Sequence, residues 1–246
     1  MKLSDYLTIL KLTKRSLEEY NNWGENEIYK ISVLNAASDE QQTFSHKISG
    51  PKEKLEVLKE KVNICKNCHL GNTRLRAVFG TGSPNASLMF IGEGPGYDED
   101  HKGEPFIGRA GQLLTKIIEA MGQTRETVYI ANIVKCHPMI DPFNPEKRSN
   151  DRPPTLEEME MCRSYLDMQI EIVKPKIIVT LGASSAKGLL STEVPISKLR
   201  GNFKEYKSIK LMPTYHPSAL LRNPNLKKFV WEDVKKVMHY LDAGEV

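Results

Sequence analysis

Ser87-Leu88-Met89-Phe90-Ile91-Gly92-Glu93-Gly94-Pro95-Gly96-Tyr97-Asp98-Glu99-Asp100 is the stretch that decides the fold. An apolar strand runs into three glycines and a proline, three acids follow, and Gly103-Glu104-Pro105-Phe106-Ile107-Gly108 opens a helix. A strand, loop and helix in that order bring a strand's carboxyl end and helix amides together on a ligand. The glycines let backbone N–H groups approach a planar or anionic group, because no Cβ stands in the way. A nucleotide cofactor suits the loop poorly, since Pro95 interrupts the turn and carboxylates follow where phosphates need cations. Alone, the stretch also reads as a plain turn. Its company downstream lifts it: residues 128–132 end a second strand in Asn132, and residues 213–218 end another in His216.

Outward from this strand, helical and strand periods alternate. Residues 52–62 align Leu55, Leu58 and Val62 as one helix face, and residues 110–121 align Leu113, Leu114, Ile117 and Ile118, with Gly122 closing that helix. Strands are expected at 87–92, 128–134, 176–182 and 210–214, with further helices at 155–173, 183–190 and 226–241. The third strand is nearly all apolar and reads as buried on both faces. Such alternation predicts an α/β domain over residues 51–246, a four-stranded, mostly parallel sheet between helices. Residues 1–50 read as an N-terminal helical extension. Leu3, Tyr6, Leu7, Leu10 and Leu17 share one face, and a polar linker follows, without a legible role.

The 246 residues contain 39% hydrophobic and 27% charged positions, ordinary for a soluble globular protein. No apolar run approaches the roughly 18 residues of a membrane span, and the first residues lack a secretory h-region. The expectation is a cytoplasmic chain with no membrane partner. The net charge of +4 is too small to prove a nucleic-acid partner. Its distribution says more: Lys198, Arg200, Arg222, Lys227, Lys228, Lys235 and Lys236 flank the His216 loop, while acids gather at 93–104. That suits a polyanion laid across one face, and equally a set of solvated helix faces.

Four cysteines occur, Cys65, Cys68, Cys136 and Cys162. In a cytosolic chain a Cys-x-x-Cys pair with two distant cysteines reads as a four-thiolate metal site. Zinc and an iron–sulfur cluster both take four thiolates, and spacing does not choose between them. The plainer alternative is buried free cysteines beside a chance pair.

If Gly94, Asn132 and His216 all lie at carboxyl ends of neighbouring strands, they line one pocket. An Asn amide offers a donor beside an acceptor, which matches a flat heterocycle presenting N–H beside C=O, as uracil does. Cytosine presents the inverse pattern, and a buried mismatch costs about 1–3 kcal/mol per group. Phe106 is the ring to stack on that heterocycle. His216 can donate to an oxygen that gains charge as a leaving group departs. Taken singly, each has a plainer reading: a capped structural His, a strand-end Asn, a core Phe.

Together, Gly92-Glu93-Gly94-Pro95-Gly96, Glu99-Asp100, the run from Gly103 to Leu114, Asn132 ahead of Lys135-Cys136, and His216-Pro217-Ser218-Ala219-Leu220-Leu221-Arg222 resemble family 4 uracil-DNA glycosylases, the iron–sulfur type, over residues 60–240. The resemblance implies a four-stranded parallel sheet and a [4Fe–4S] cluster on Cys65, Cys68, Cys136 and Cys162. It also implies a monomeric, monofunctional enzyme that hydrolyses the bond joining uracil to deoxyribose in single- or double-stranded DNA, the first step of base excision repair. The uracil pocket carries over onto Gly94, Phe106, Asn132 and His216, with His216, Glu93 and Glu99 at the catalytic positions. The loop that enters the duplex falls on residues 216–222, with Leu220 or Leu221 as apolar wedge and Arg222 and Arg109 toward DNA.

Two departures stand out. Twenty-five residues separate Cys136 from Cys162, more than is usual in the family, and prolines 138, 142, 145, 153 and 154 mark a looped insertion. Residues 1–50 have no counterpart. A relative that traps the sugar covalently on a histidine is marked by a basic insertion before the His motif, and residues 194–201 hold neither insertion nor histidine. The alternative from another class is a non-catalytic iron–sulfur or zinc DNA-binding protein of the same fold.

Overall fold

The structure is a computed structural model that describes residues 50–243. The helix and linker expected over residues 1–49 lie outside the described residues. Helix α1 (Pro51–Asn63) and a short α2 (Leu70–Thr73) precede strands β1 (Thr81–Gly82) and β2 (Leu88–Gly92). Then come α3 (Tyr97–Lys102), α4 (Arg109–Ala120), β3 (Tyr129–Asn132), α5 (Leu156–Val173), β4 (Ile177–Leu181) and α6 (Ala183–Leu190). The chain continues through α7 (Ile196–Leu199), β5 (Lys204–Tyr206), β6 (Ile209–Thr214), α8 (Pro217–Arg222), a 3-10 turn (Pro224–Leu226) and α9 (Lys227–Asp242).

The sheet has six strands in the order β1-β3-β2-β4-β6-β5, where four were expected. The expected four, β3-β2-β4-β6, are parallel and central. The two additions are antiparallel edges. Both were illegible because two and three residues are too few to show a period of two. The β5–β6 hairpin turns through Lys207 and Ser208, both at positive φ (48° and 64°), without the Asn-Gly pair that normally announces such a turn.

β2 is buried throughout and serves two cores. Met89 and Ile91 pack with Leu55, Leu58, Leu166 and Ile170 under α1 and α5, while Leu88 and Phe90 pack with Leu114, Ile118, Val230 and Val234 under α4 and α9. The alternation of side chains along the strand distributes them so, and explains why a centrally placed parallel strand is apolar at every position. Among the described residues no helix is long and apolar enough to cross a membrane.

The register then places the site. Gly92 lies beside Asn132 at the ends of β2 and β3, and Leu181 lies beside Thr214 near the ends of β4 and β6. Parallel strands bring all these carboxyl ends to one edge of the sheet, where α/β folds bind ligands. The acids after Gly96 form the first turn of α3, where the exposed amides of a helix start favour negative charge, and Gly103 ends that helix at φ 79°.

Candidate active site

A cavity of about 420 Å³ opens at this edge, lined by Glu93, Gly94, Phe106, Asn132 and His216 together with Asp151, Arg152, Ser218 and Arg222. The pocket residues named from the sequence are thus brought together. A larger cavity, about 630 Å³, lies between α1 and α5 around Lys54, Leu58, Met168 and Ile172, and holds none of the strand-end groups. The smaller one carries the chemistry.

Gly92 makes the pocket close. A Cβ there would fall 2.5 Å from Phe106 Cζ and would strike Asn132 Oδ1, so both side chains fold over bare backbone. Phe106 sits at φ 55°, a costly conformation for a bulky residue. It is held there by Arg125, whose guanidinium donates to the Phe106 carbonyl at 3.1 Å and the Pro105 carbonyl at 2.7 Å. The Phe106 and His216 ring centroids are 5.6 Å apart.

Asn132 is 1% exposed, and its Oδ1 is buried without a hydrogen-bond partner. A buried acceptor left open costs stability unless a ligand donor fills it. Next to it, Glu93 Oε1 is likewise buried and unpartnered. Burial raises the Glu93 pKa above the ordinary carboxylate range, opposed in part by a hydrogen bond from Ser184. Two open acceptors in one cavity mark a place for a polar guest, and Phe106 beside them for a planar one.

His216 is the N-cap of α8. Its Nδ1 accepts from the Ser218 amide at 3.1 Å and lies 2.7 Å from the Ser218 hydroxyl. With Nδ1 used as acceptor, the neutral ring carries its proton on Nε2. Burial, helped by the Arg222 charge, lowers the pKa to about 4, so the imidazole is uncharged near neutral pH.

Glu99 occupies a different role from Glu93. Its Oε1 accepts from the amides of Ile107 (3.0 Å) and Gly108 (3.1 Å), and its Oε2 from Gly96 (3.1 Å). Both oxygens are engaged in splicing the glycine loop to the Phe106 turn, so Glu99 is a brace. Leu220 is 2% exposed and packs in the core beneath α4 and α9, which removes it as a wedge; Leu221, 41% exposed, is the apolar side chain that α8 offers outward. Arg222 is exposed on the cavity rim, and Arg109 is exposed in the first turn of α4.

Sequence reasoning missed several residues. Asp151 reaches the cavity wall, where its Oδ1 accepts from the Tyr97 amide at 3.2 Å and pairs with His137 Nε2 at 2.7 Å. His137 is fully buried against Asp100, 3.4 Å away. Burial alone would lower its pKa, but hydrogen bonds and charge from Asp100 and Asp151 outweigh that and raise it to about 9. The only signal in the sequence was the proline-rich loop, read as a mere insertion. That loop is pinned by a Met139–Asp151 bridge and by buried Asn150, whose side chain binds the main chain of Asp141 and Asn144.

The four cysteines line one small cavity. Cys65 follows α1, Cys68 precedes α2, Cys136 follows β3 and Cys162 lies in α5. Among the described residues no three Cys, His, Asp or Glu side chains converge on a single point as one ion requires. N–H donors face the sulfurs: the Asn67 amide toward Cys65 (3.5 Å), Arg74 Nη1 toward Cys136 (2.9 Å) and the Lys135 amide toward Cys162 (3.3 Å). Such donors stabilise thiolates. Burial pushes the Cys136 thiol up to about 12 and that of Cys162 also upward, so a bound metal group must displace their protons. The donor set, four thiols on one small cavity, fits a thiolate-bound metal group.

Comparison with known proteins agrees with this geometry. The family model of the uracil DNA glycosylase superfamily matches residues 79–235. The type-4 uracil-DNA glycosylase of Sulfurisphaera tokodaii is 46% identical over 195 residues, covering 75% of this chain and 84% of that protein. That of Thermotoga maritima is 41% identical over 193 residues, covering 77% and 95%. A type-5 uracil-DNA glycosylase of Pyrobaculum aerophilum is more distant, 28% identical over 182 residues, covering 66% and 75%. The identity with the type-4 proteins extends over three quarters of its length, and the chain belongs to that branch of the uracil DNA glycosylase superfamily.

Proposed function

We propose that this chain is a monofunctional uracil-DNA glycosylase that hydrolyses the N-glycosidic bond of uracil in DNA and so begins base excision repair. The observation that carries the reading is the open Asn132 Oδ1 in a cavity shared with Phe106 and an uncharged His216. Uracil flipped from the stack supplies what Asn132 lacks: its N3–H donates to Oδ1 while its O4 accepts from Nδ2. Cytosine sets a lone pair against that oxygen and leaves the site mismatched, at about 1–3 kcal/mol per buried group. Phe106 stacks on the base.

When the bond from uracil N1 to the sugar breaks, the electron pair moves into the base and charge gathers on its carbonyl oxygens. His216 Nε2–H donates to that charge. A neutral imidazole suits the task because it holds its proton and its geometry before and after the event. Water then attacks the sugar cation, and the proton it sheds neutralises the uracil anion, leaving an abasic sugar and free uracil. Gly94 has no side chain to act as base there, and a Cβ at Gly94 would press on Val134 Cγ2 at 2.6 Å. Glu93 and Asp151 supply negative charge to the cavity that receives the cation. Leu221 occupies the gap left by the base, and Arg222 and Arg109 meet phosphates.

Cys65, Cys68, Cys136 and Cys162 would hold a [4Fe–4S] cluster, which supplies a cross-link between α1, the β3 exit and α5. The alternative of a DNA-binding module without chemistry is separated by mass spectrometry of an oligonucleotide carrying one uracil. Free uracil and an abasic strand support the enzyme. Tight binding that leaves the strand intact contradicts it.

A further inference from the structure

Lys135 is a buried lysine, 1% exposed, whose ammonium has two neutral partners: the main-chain carbonyl of Asn132 at 2.7 Å and Gln169 Oε1 at 2.5 Å. A buried cation with only neutral partners is costly unless a negative charge lies nearby. The main chain of the same residue adjoins the cysteine centre, which carries negative charge once loaded. The Lys135 amide donates to Cys162 at 3.3 Å, Cys136 is the next residue, and Lys135 lines the four-cysteine cavity. Four thiolates carry more negative charge than the metal group they bind neutralises.

The other end of the contact is the base-reading residue. The ammonium folds the exit of β3 back onto the Asn132 carbonyl, and Gln169 passes the brace on to the Phe79 carbonyl (2.9 Å) and the Tyr129 hydroxyl (3.1 Å). One residue therefore holds the strand end that carries Asn132 through its side chain and meets Cys162 through its main-chain amide, beside the cavity that the four cysteines line. We propose that Lys135 is a positioning residue that couples the metal centre to the base pocket, with the loaded thiolate centre as its counter-charge. This rests on the reading that the four cysteines hold one metal cluster.

The test uses the full-length loaded protein and Lys135→Met, which keeps the length of the side chain and removes the charge. Three quantities are read: affinity for free uracil, the rate at which a chelator removes iron, and the midpoint potential of the cluster. Loss of a charge-assisted hydrogen bond predicts uracil affinity lower by about tenfold or more. Iron should leave faster by a similar factor, and the potential should move to more negative values, because a buried cation no longer favours the added electron. A merely structural lysine would leave the potential where it was. If Lys135→Met does not fold, Lys135→Arg keeps the charge but not the fit, and predicts weaker uracil binding with iron loss near the parent rate; faster iron loss in that variant overturns the proposal. In Lys135→Met, an unchanged potential, or a change in only one of uracil affinity and iron loss, also overturns it. A parent chain that carries no iron refutes the cluster reading and the coupling with it, whereas iron present with Lys135→Met unaltered refutes the coupling alone.

Discussion

Gly92→Ala tests the pocket geometry, because it adds one methyl group that presses on both Phe106 and Asn132 Oδ1. The backbone at Gly92 is not in the left-handed region, so alanine meets no strain of its own. The added Cβ would lie 2.5 Å from Phe106 Cζ and 2.7 Å from Cε2. Carbon atoms rest about 3.5–4.0 Å apart, so the ring must retreat by about 1 Å. A displacement of that size in a positioning group costs on the order of 10²-fold in rate. Overpacking should also lower stability by about 1–3 kcal/mol. The assay is single-turnover release of uracil from an oligonucleotide with enzyme in excess, beside a thermal melt. Gly122→Ala is the control: Gly122 has φ 72° and nothing within 4 Å of an added Cβ, so alanine there strains the backbone by about 1–2 kcal/mol without touching the pocket. Parent-like excision by Gly92→Ala, or equal losses in both variants, would refute the claim that Phe106 and Asn132 must lie where Gly92 allows.

Three further outcomes follow from the same geometry. Cys162→Ala should lose most of its bound iron and melt at lower temperature, since the thiolates join segments almost a hundred residues apart; full iron content with an unchanged melt contradicts the ligand assignment. Arg222→Ala should reduce the dependence of log affinity on log salt by about 1 without altering base choice, whereas Leu221→Ala should slow excision from duplex more than from single strands; titrations and time courses on both substrates decide. The pKa of His216 falls from the usual 6.5 to about 4 on folding, so the unfolded chain takes up that proton first. The stability owed to burying it uncharged is complete above 6.5 and is lost as pH falls toward about 4, and imidazole protonation should not slow excision until pH nears the lower value; a loss of rate with pKa near 6.5 contradicts the neutral donor.

The central sheet and its loops were legible because they depend on local pattern. Residues 88–92 are apolar at every position and 177–181 at all but Thr180, as a strand buried on both faces requires, and the helix expected from residue 155 begins there, capped by Thr155 and Glu158. The convergence of Gly94, Phe106, Asn132 and His216 followed from parallel strands ending on one edge. What stayed hidden depends on contacts between distant segments. Nothing near Glu99 in sequence reveals that its oxygens bind Gly96, Ile107 and Gly108. Leu220 and Leu221 are chemically alike, and only the packing of α8 decides that the first is core and the second faces outward. Asp151 reaches the pocket through His137 and a bridge across the loop of residues 140–150, a relation with no periodic signature.

His216 is where the account is most exposed to measurement. The single-turnover rate of uracil release by His216→Ala, compared with the parent at saturating enzyme, tests whether a neutral imidazole stabilises the departing base. The geometry predicts a fall of about 10²–10³-fold with DNA affinity nearly unchanged, because a donor aimed at transition-state charge adds little to ground-state binding. A parent-like rate, or a loss confined to DNA binding, would contradict it.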